Sequence, residues 1–389
     1  MKILYLTFYY SPDLCAGSFR NSSLSNELKN KIKKSDEIEL ITTLPNRYNS
    51  YNNYAKHIEK NDNLIINRIK LPKHKSGLID QSYAFLIFFI KVLRITKGKK
   101  YDIVFASSSR LFTAFLSAII ASRNKTFLYL DIRDLFVDTI QDVLKNKIFK
   151  FFIIFFLKKI EKFTFESADH INLISEGFKD YFNKYNISNL SFYSNGIDDI
   201  FLKRNKSKTL KNRVKVITYA GNIGEGQGLH KIIPDLATRL GKNFLFRIIG
   251  DGGLRIKLEN SLKKYNCNNV ELINPVNREK LIEYYKNSDY LFLHLNNHNA
   301  FKKVLPSKIF DYAAFNKPII AGVSGFASLF IKKHIKNALV FNPLDSDFFV
   351  SNLNSLEING PLRTSFIKRF SRKEINSKMA DSILNNFIN

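Results

Sequence analysis

The sequence predicts an α/β protein built from two doubly wound domains that face a cleft. Short apolar runs alternate with helical stretches over most of the chain, the pattern of parallel sheets covered on both faces. The rhythm restarts after Lys215, so there are two such series. The length of 389 residues, 45% of them hydrophobic, suits two cores, each in a domain of roughly 150–200 residues.

Taken in order, Lys2–Phe8 opens the first series: one Lys and a short apolar run before Ser11-Pro12, with no cleavage site, read as a buried strand and not a leader. Ile38–Thr42, Asp102–Ala106, Thr126–Asp131, Ile171–Ile174 and Leu190–Tyr193 follow as strands. The second series runs through Val216–Ala220, Phe244–Gly250, Val270–Ile273, Tyr290–Leu295, Pro318–Ala321 and Ala338–Phe341. The join is placed at Phe201–Lys215, with seven Lys/Arg and no acid, a solvated linker in pattern. The expected division is 1–200, 201–370, and a final helix, 371–389, returning towards the first domain.

The net charge of +27 and a pI near 9.8 call for an anionic partner: nucleic acid, anionic lipid or a phosphorylated substrate. Charge alone does not choose among them. Two cysteines, Cys15 and Cys267, give neither a disulfide framework nor a zinc spacing, which fits a reducing cytoplasm. The most apolar windows, Tyr83–Leu93 and Ile148–Leu157, are shorter than the roughly 18–20 residues that span a bilayer.

Four segments carry chemistry. In Val304–Ile320, VLPSKIFDYAAFNKPII, Ser307 and Lys308 stand at a helix start, where free N–H groups and a cation favour a phosphate. Asp311, three residues on, shares a face with Lys308 and suits sugar hydroxyls. Tyr219–Leu229, YAGNIGEGQGL, follows a strand and precedes a helix; Gly221, Gly224 and Gly228 let backbone approach a diphosphate. Its spacing is not that of a dinucleotide fingerprint. Near the start, YYSPDLCAGSFR offers Gly17 and Ser18 for close approach and Arg20 for a phosphate. At the end of a strand, DIRDLFVD aims Arg133 and Asp134 at the cleft, although an Arg-Asp pair is more often structural. SNGID at Ser194–Asp198 reads as a tight turn in which Asn and Gly suit positive φ.

In this order, AGSFR, RDL, the ADHINLIS run at Ala168–Ser175, SNGID, AGNIGEGQGL, the IIGDGG turn at Ile248–Gly253 and LPSKIFDYAAFNKPII resemble the retaining nucleotide-sugar glycosyltransferases of family 4. These have two Rossmann-like domains, the GT-B arrangement, and the resemblance covers essentially the whole chain. It looks closest to the surface-polysaccharide branch (O-antigen, capsule and lipopolysaccharide synthesis), which includes N-acetyl-fucosamine-type transferases. The pattern departs from the family in three places. Of two glutamates eight positions apart, the first is Lys303 and the second Asp311; Asn222 and Gln227 stand near an expected Arg and Lys; and Arg133 falls where a His is common.

The resemblance implies transfer with retention, without a metal or other cofactor, from a nucleotide sugar, UDP-linked by default. Lys308 and the Gly221–Gly228 backbone, with Asn222, Gln227 and Ser307, would stabilise the departing diphosphate. Asp311 would hold ribose hydroxyls. Gly17 and Arg20 would complete the contact as the cleft closes. Asp134 and Arg133 would orient the acceptor or the transferred sugar.

The stretch Leu144–Phe163, LKNKIFKFFIIFFLKKIEKF, is apolar almost all round between Phe151 and Leu157 and Lys-flanked. A helix of that kind lies in the interface of an anionic membrane. A lipid-linked saccharide acceptor at the cytoplasmic face of the inner membrane, with the enzyme held there peripherally, accounts for it. Two other readings compete: a GT-B-type sugar-nucleotide epimerase, for which His294 and His298 are the few candidates, and a basic nucleic-acid-binding protein. Against nucleic acid, the Lys and Arg are scattered over both halves with no aromatic-basic stacking motif. An inactive relative is raised only by Lys303.

Overall fold

The computed structural model describes residues 1–48, 54–72, 78–108, 110–144, 146–202, 214–358 and 360–388. Most of the expected basic linker, residues 203–213, lies outside the described residues. The chain divides into two compact units: Met1–Arg47, Asn52–Asn195 and Lys373–Asn389 form the first, and Tyr48–Tyr51 with Gly196–Arg372 the second. The architecture is α/β with two Rossmann-like sheets, as the alternation of apolar runs predicts.

In the first unit, β1 (Lys2–Thr7), α1 (Ala16–Lys31), β2 (Glu37–Thr43), β3 (Ile58–Asn61), β4 (Leu64–Ile69) and α2 (Leu78–Thr96) come first. Then follow β5 (Ile103–Ser108), α3 (Leu111–Asn124), β6 (Phe127–Ile132), α4 (Phe136–Val143), α5 (Lys147–Glu166), β7 (His170–Leu173), α6 (Lys179–Phe182) and β8 (Leu190–Ser191). The sheet order is β3-β4-β2-β1-β5-β6-β7-β8, and all neighbours are parallel except the β3–β4 pair. That antiparallel hairpin is absent from the sequence reading. Its turn carries Asp62 at φ 54°, and β3 is an exposed edge strand, so its polar residues give no buried-strand signal.

The second unit holds β9 (Lys215–Ala220), α7 (Leu229–Leu240), β10 (Phe244–Ile249), α8 (Arg255–Lys264), β11 (Val270–Ile273), α9 (Arg278–Lys286) and β12 (Tyr290–His294). It continues through α10 (Lys308–Ala313), β13 (Ile319–Gly322), α11 (Gly325–His334), β14 (Ala338–Phe341), α12 (Ser346–Asn352) and α13 (Thr364–Arg369). Its parallel sheet runs β11-β10-β9-β12-β13-β14. The strand order therefore reverses between β9 and β12, and in the first sheet between β1 and β5. At such switch points the loops leaving the carboxyl ends diverge and open a crevice for ligands.

The last helix, α14 (Arg372–Ile388), packs on the first unit: Met379, Ala380 and Ile383 are fully buried with Ile3, Tyr5, Leu24 and Leu40. The same region corrects the reading of Arg20. Its guanidinium is wholly buried and makes a two-bond pair with Asp131, Nε to Oδ2 at 2.9 Å and Nη2 to Oδ1 at 3.0 Å. It also donates to the carbonyls of Ser194 at 2.7 Å and Tyr193 at 2.8 Å. With these bonds made inside the core, Arg20 is a structural ion-pair partner and not a phosphate ligand. Burial works against the Asp131 charge, but Arg20, Arg133 and Asn172 outweigh it and hold the carboxyl below its usual range.

The Ser194–Asp198 segment is also corrected. Gly196 does not need positive φ; it is small because a Cβ there would lie 2.6 Å from the Cα of Arg372. Ile197 bridges to Ser371, and Asp198 pairs with Arg278 and with Arg372, the latter at 2.6 Å.

Arg20→Met keeps the volume but strands Asp131 in the core, so equilibrium urea unfolding should show a loss of about 3–5 kcal/mol. Arg20→Met with Asp131→Asn should recover part of that loss. An unchanged midpoint for the single variant would refute the structural assignment.

Candidate functional site

In the second unit the site is built from the loop after β9. The strand delivers Tyr219 and Ala220 to the carboxyl edge, and the chain turns at Gly221 with φ 144°, which side-chain-bearing residues rarely adopt. The end of the Lys308 side chain occupies the space beside Gly221 where a Cβ would stand. Lys308 thus lies directly against the loop, its Nζ 5.0 Å from the centre of the Tyr219 ring, which leaves a cation over an aromatic face.

The loop is pinned from within. Asn222 Nδ2 donates to Gln227 Oε1 at 2.9 Å, the Gly224 N–H reaches the same oxygen at 3.3 Å, and Tyr219 O–H donates to the Asn222 carbonyl at 2.6 Å. Asn222 and Gln227 therefore shape the loop. Gly228, at φ 60°, precedes α7.

Sequence reasoning missed the outer brace. Asn296, just past β12 on the other side of the switch point, donates from Nδ2 to the Glu225 carbonyl at 3.0 Å and to its carboxylate at 2.9 Å. The polar run Asn296-Asn297-His298-Asn299 after an apolar strand is the signal that marks it. His294 takes no acid-base part: Nδ1 donates to the Gln227 carbonyl at 2.7 Å while Nε2 accepts from the Leu344 N–H at 3.1 Å. Burial lowers its pKa to about 4, so the ring is neutral.

Ser307 and Lys308 stand where α10 begins, but that helix has only six residues, so its dipole adds little beyond the Lys308 charge. One turn on, Asp311 sits half-buried on the same helix. Its carboxyl is pushed up to about 7 by burial, against the opposing pull of Arg372, with Asp198 adding to the rise and Arg278 and Lys308 reducing it. Lys303, the residue in place of the first family glutamate, ends the turn Asn299–Lys303.

The first unit has its own carboxyl-edge group. Gly17 lies in the first turn of α1 against the guanidinium of Arg133, with no room for a Cβ. Arg133 and Asp134 follow β6 directly, and the Arg133 N–H bonds to the Ser108 carbonyl at 3.0 Å. The Asp134 carboxyl is raised to about 6 by burial, opposed by the Leu135 N–H and by Thr139. Gly17, Arg133 and Asp134 are thus brought to one sheet edge, whereas Arg20 is turned into the core. No cluster of three or more His, Cys, Asp or Glu side chains suited to a metal ion occurs among the described residues.

Residues 202–373 match the model of the family described as glycosyl transferases group 1. WcaI of Escherichia coli K12, named for a glycosyl transferase of colanic acid biosynthesis, is 28% identical over 131 residues, 34% of this chain; the match spans 32% of that relative. Among solved structures, a sucrose-phosphate synthase from Thermosynechococcus elongatus superposes with a TM-score of 0.73 at 10% identity, covering 100% of this chain and 99% of the other. HepE of Anabaena in complex with UDP-glucose gives 0.67 at 12% identity, covering 99% and 100%. At these identities the structures establish the shared GT-B fold.

The raised Asp311 carboxyl has a consequence for stability. The folded state holds its proton up to about pH 7, whereas the unfolded chain loses it near the ordinary carboxyl value of 3.8, so this group makes stability fall as pH rises between the two. Asp311→Asn should therefore unfold at a higher temperature than the native sequence at pH 8. The gap should close as pH falls towards 4. A gap independent of pH would rule out this titration.

Proposed function

We propose that this chain is a retaining glycosyltransferase that moves a sugar from a nucleoside-diphosphate sugar to a lipid-linked saccharide in cell-surface polysaccharide synthesis. The observation that carries the reading is Lys308 packed on Gly221, a cation against the glycine-rich loop at the switch point of the second sheet. That pair lies within the matched residues 202–373, and the structural neighbour HepE was solved with UDP-glucose.

As the anomeric carbon loses its diphosphate, negative charge builds on the leaving oxygens. Lys308, packed against the Gly221–Gly228 loop, is the cation placed to meet it, and such placed charge does more for the transition state than for the ground state. Asp311, one turn from Lys308, holds the ribose hydroxyls. Asp134 orients the acceptor hydroxyl or the transferred sugar. The departing phosphate takes the acceptor proton, so neither a metal nor a dedicated base is needed. UDP is the nucleotide assigned.

A lipid-linked acceptor is supported by α5. Ile148 is 75% exposed, and Phe151, Phe152, Phe155 and Phe156 are likewise exposed on the same helix, among Lys147, Lys150, Lys158 and Lys159. Large apolar side chains exposed in this number mark an interaction face. With lysines around them, the complementary surface is an anionic bilayer at which the enzyme sits peripherally on the cytoplasmic side. No helix among the described residues is long and apolar enough to cross a membrane.

Two measurements test this. In a thermal-shift panel of UDP, GDP, dTDP and CMP, UDP should raise the melting temperature, and Lys308→Ala should abolish the shift. The same variant should lower kcat by about 100- to 1000-fold; a panel without any shift would sink the transferase reading. In flotation with anionic vesicles, Phe151→Ser with Phe156→Ser should release the protein. Equal flotation of the variant would remove α5 from the membrane contact.

A further inference from the structure

The reversal of strand order in the first sheet lies between β1 and β5, and the residues there are not those of a bland turn. Just past β5, Arg110 donates from Nη2 to the Tyr9 hydroxyl at 3.2 Å, and its guanidinium lies 5.3 Å from the Phe8 ring and 5.9 Å from the Tyr9 ring. From beyond β2, Arg47 lies 5.6 Å from the same Tyr9 ring. From beyond β6, Arg133 rests on Gly17, its Nε buried and without a hydrogen-bond partner. Three guanidiniums from three strand ends thus gather around one loop.

Two of them, Arg110 and Arg133, differ from neighbouring arginines in their pairing. Arg20 pairs with Asp131 and Arg68 with Glu59 at 3.0 Å, whereas neither Arg110 nor Arg133 has a carboxylate within ion-pair distance among the described residues. Like charges held together at the open end of a sheet favour an anion with several oxygens, and planar guanidiniums match phosphate oxygens in pairs.

The surroundings identify what carries that phosphate. From Phe8 a run of ring contacts leads away through Phe85 at 6.0 Å, Phe89 at 6.3 Å, Phe115 at 6.3 Å and Phe163 at 5.9 Å. Phe163 is on α5, the helix with the exposed phenylalanines, and α2 exposes Tyr83, Leu86 and Ile90. Within one unit Arg110 is therefore linked by aromatic packing to the helix that carries the exposed phenylalanines.

We propose that Arg110, with Arg47, Arg133 and the Tyr9 hydroxyl, binds the diphosphate of a lipid carrier, a site in the first unit with residues separate from those assigned to the nucleotide. The proposal rests on the lipid-linked acceptor of the preceding reading and supplies the residues that recognise it. Tyr9 accepts from Arg110 through its oxygen, which leaves its own proton to donate to a phosphate oxygen.

The test is calorimetric titration of the full chain with geranyl diphosphate, inorganic pyrophosphate and UDP. Arg110→Gln should weaken geranyl diphosphate at least tenfold and leave UDP unchanged, Arg110→Lys should lose less, and Lys308→Ala should show the reverse pattern. Circular dichroism melts of each variant separate lost binding from lost folding, and Tyr9→Phe offers a milder change to the same site, with a smaller loss expected. Geranyl diphosphate affinity that ignores Arg110→Gln in a folded variant overturns the proposal, as does an equal loss of UDP. Pyrophosphate binding as tightly as geranyl diphosphate overturns the lipid assignment. Failure of UDP to bind the native protein, with geranyl diphosphate still bound through Arg110, would refute the donor reading and leave this site standing.

Discussion

Much of the first unit depends on one buried ion pair. Arg20 and Asp131 are both inaccessible to water, a costly arrangement unless every donor and lone pair is matched. The matching is thorough: Ser107 donates to Asp131 at 2.9 Å, Asn172 at 2.7 Å, and Arg20 collects two carbonyls from the segment after β8. Residues from α1, β5, β6, β7 and the Tyr193–Ser194 stretch are thereby fixed to one point. The ends of β5 and β6 lead directly to Arg110 and to Arg133 with Asp134, so the geometry of that sheet edge is inherited from a pair that touches no substrate.

This pair also shows where sequence reasoning stops. The strands were legible because parallel strands covered on both faces must be apolar throughout, and runs such as Ile103–Ser108 and Tyr290–His294 are buried from end to end. The β3–β4 hairpin was not, since Ile58–Asn61 is an exposed edge strand of mostly polar residues. Arg20 and Arg133 illustrate the harder problem. Arg20 lies in the first turns of α1 and Arg133 just after β6, and only the third dimension reveals that one is closed into the core while the other faces Gly17. Gly196 was read as a matter of φ when its constraint is the approach of Arg372.

The second unit was more legible because its chemistry is local. Lys308 and Asp311 are one helical turn apart, so their spacing alone puts them on one face, and the glycines of the β9 loop are contiguous. Hidden from the sequence was the support. Asn296 comes from beyond β12, 71 positions after the Glu225 it holds, and Tyr219 lies beneath the Lys308 ammonium. Such braces depend on which strand neighbours which, and the reversal between β9 and β12 is a property of the sheet, not of any segment.

The return of α14 to the first unit has a consequence for the order in which the molecule is made. Met379, Ala380 and Ile383 are core residues there, and Asn376 Nδ2 reaches the Arg20 carbonyl at 3.4 Å. A ribosome releases α1 and its strands long before these residues exist. Until translation passes residue 383, the nascent first unit carries an apolar gap over Tyr5 and Leu24, while the second unit already has its full set of strands. The half of the molecule that begins first is therefore the half that finishes last, and the interval is one in which a chaperone would find its sheet uncovered.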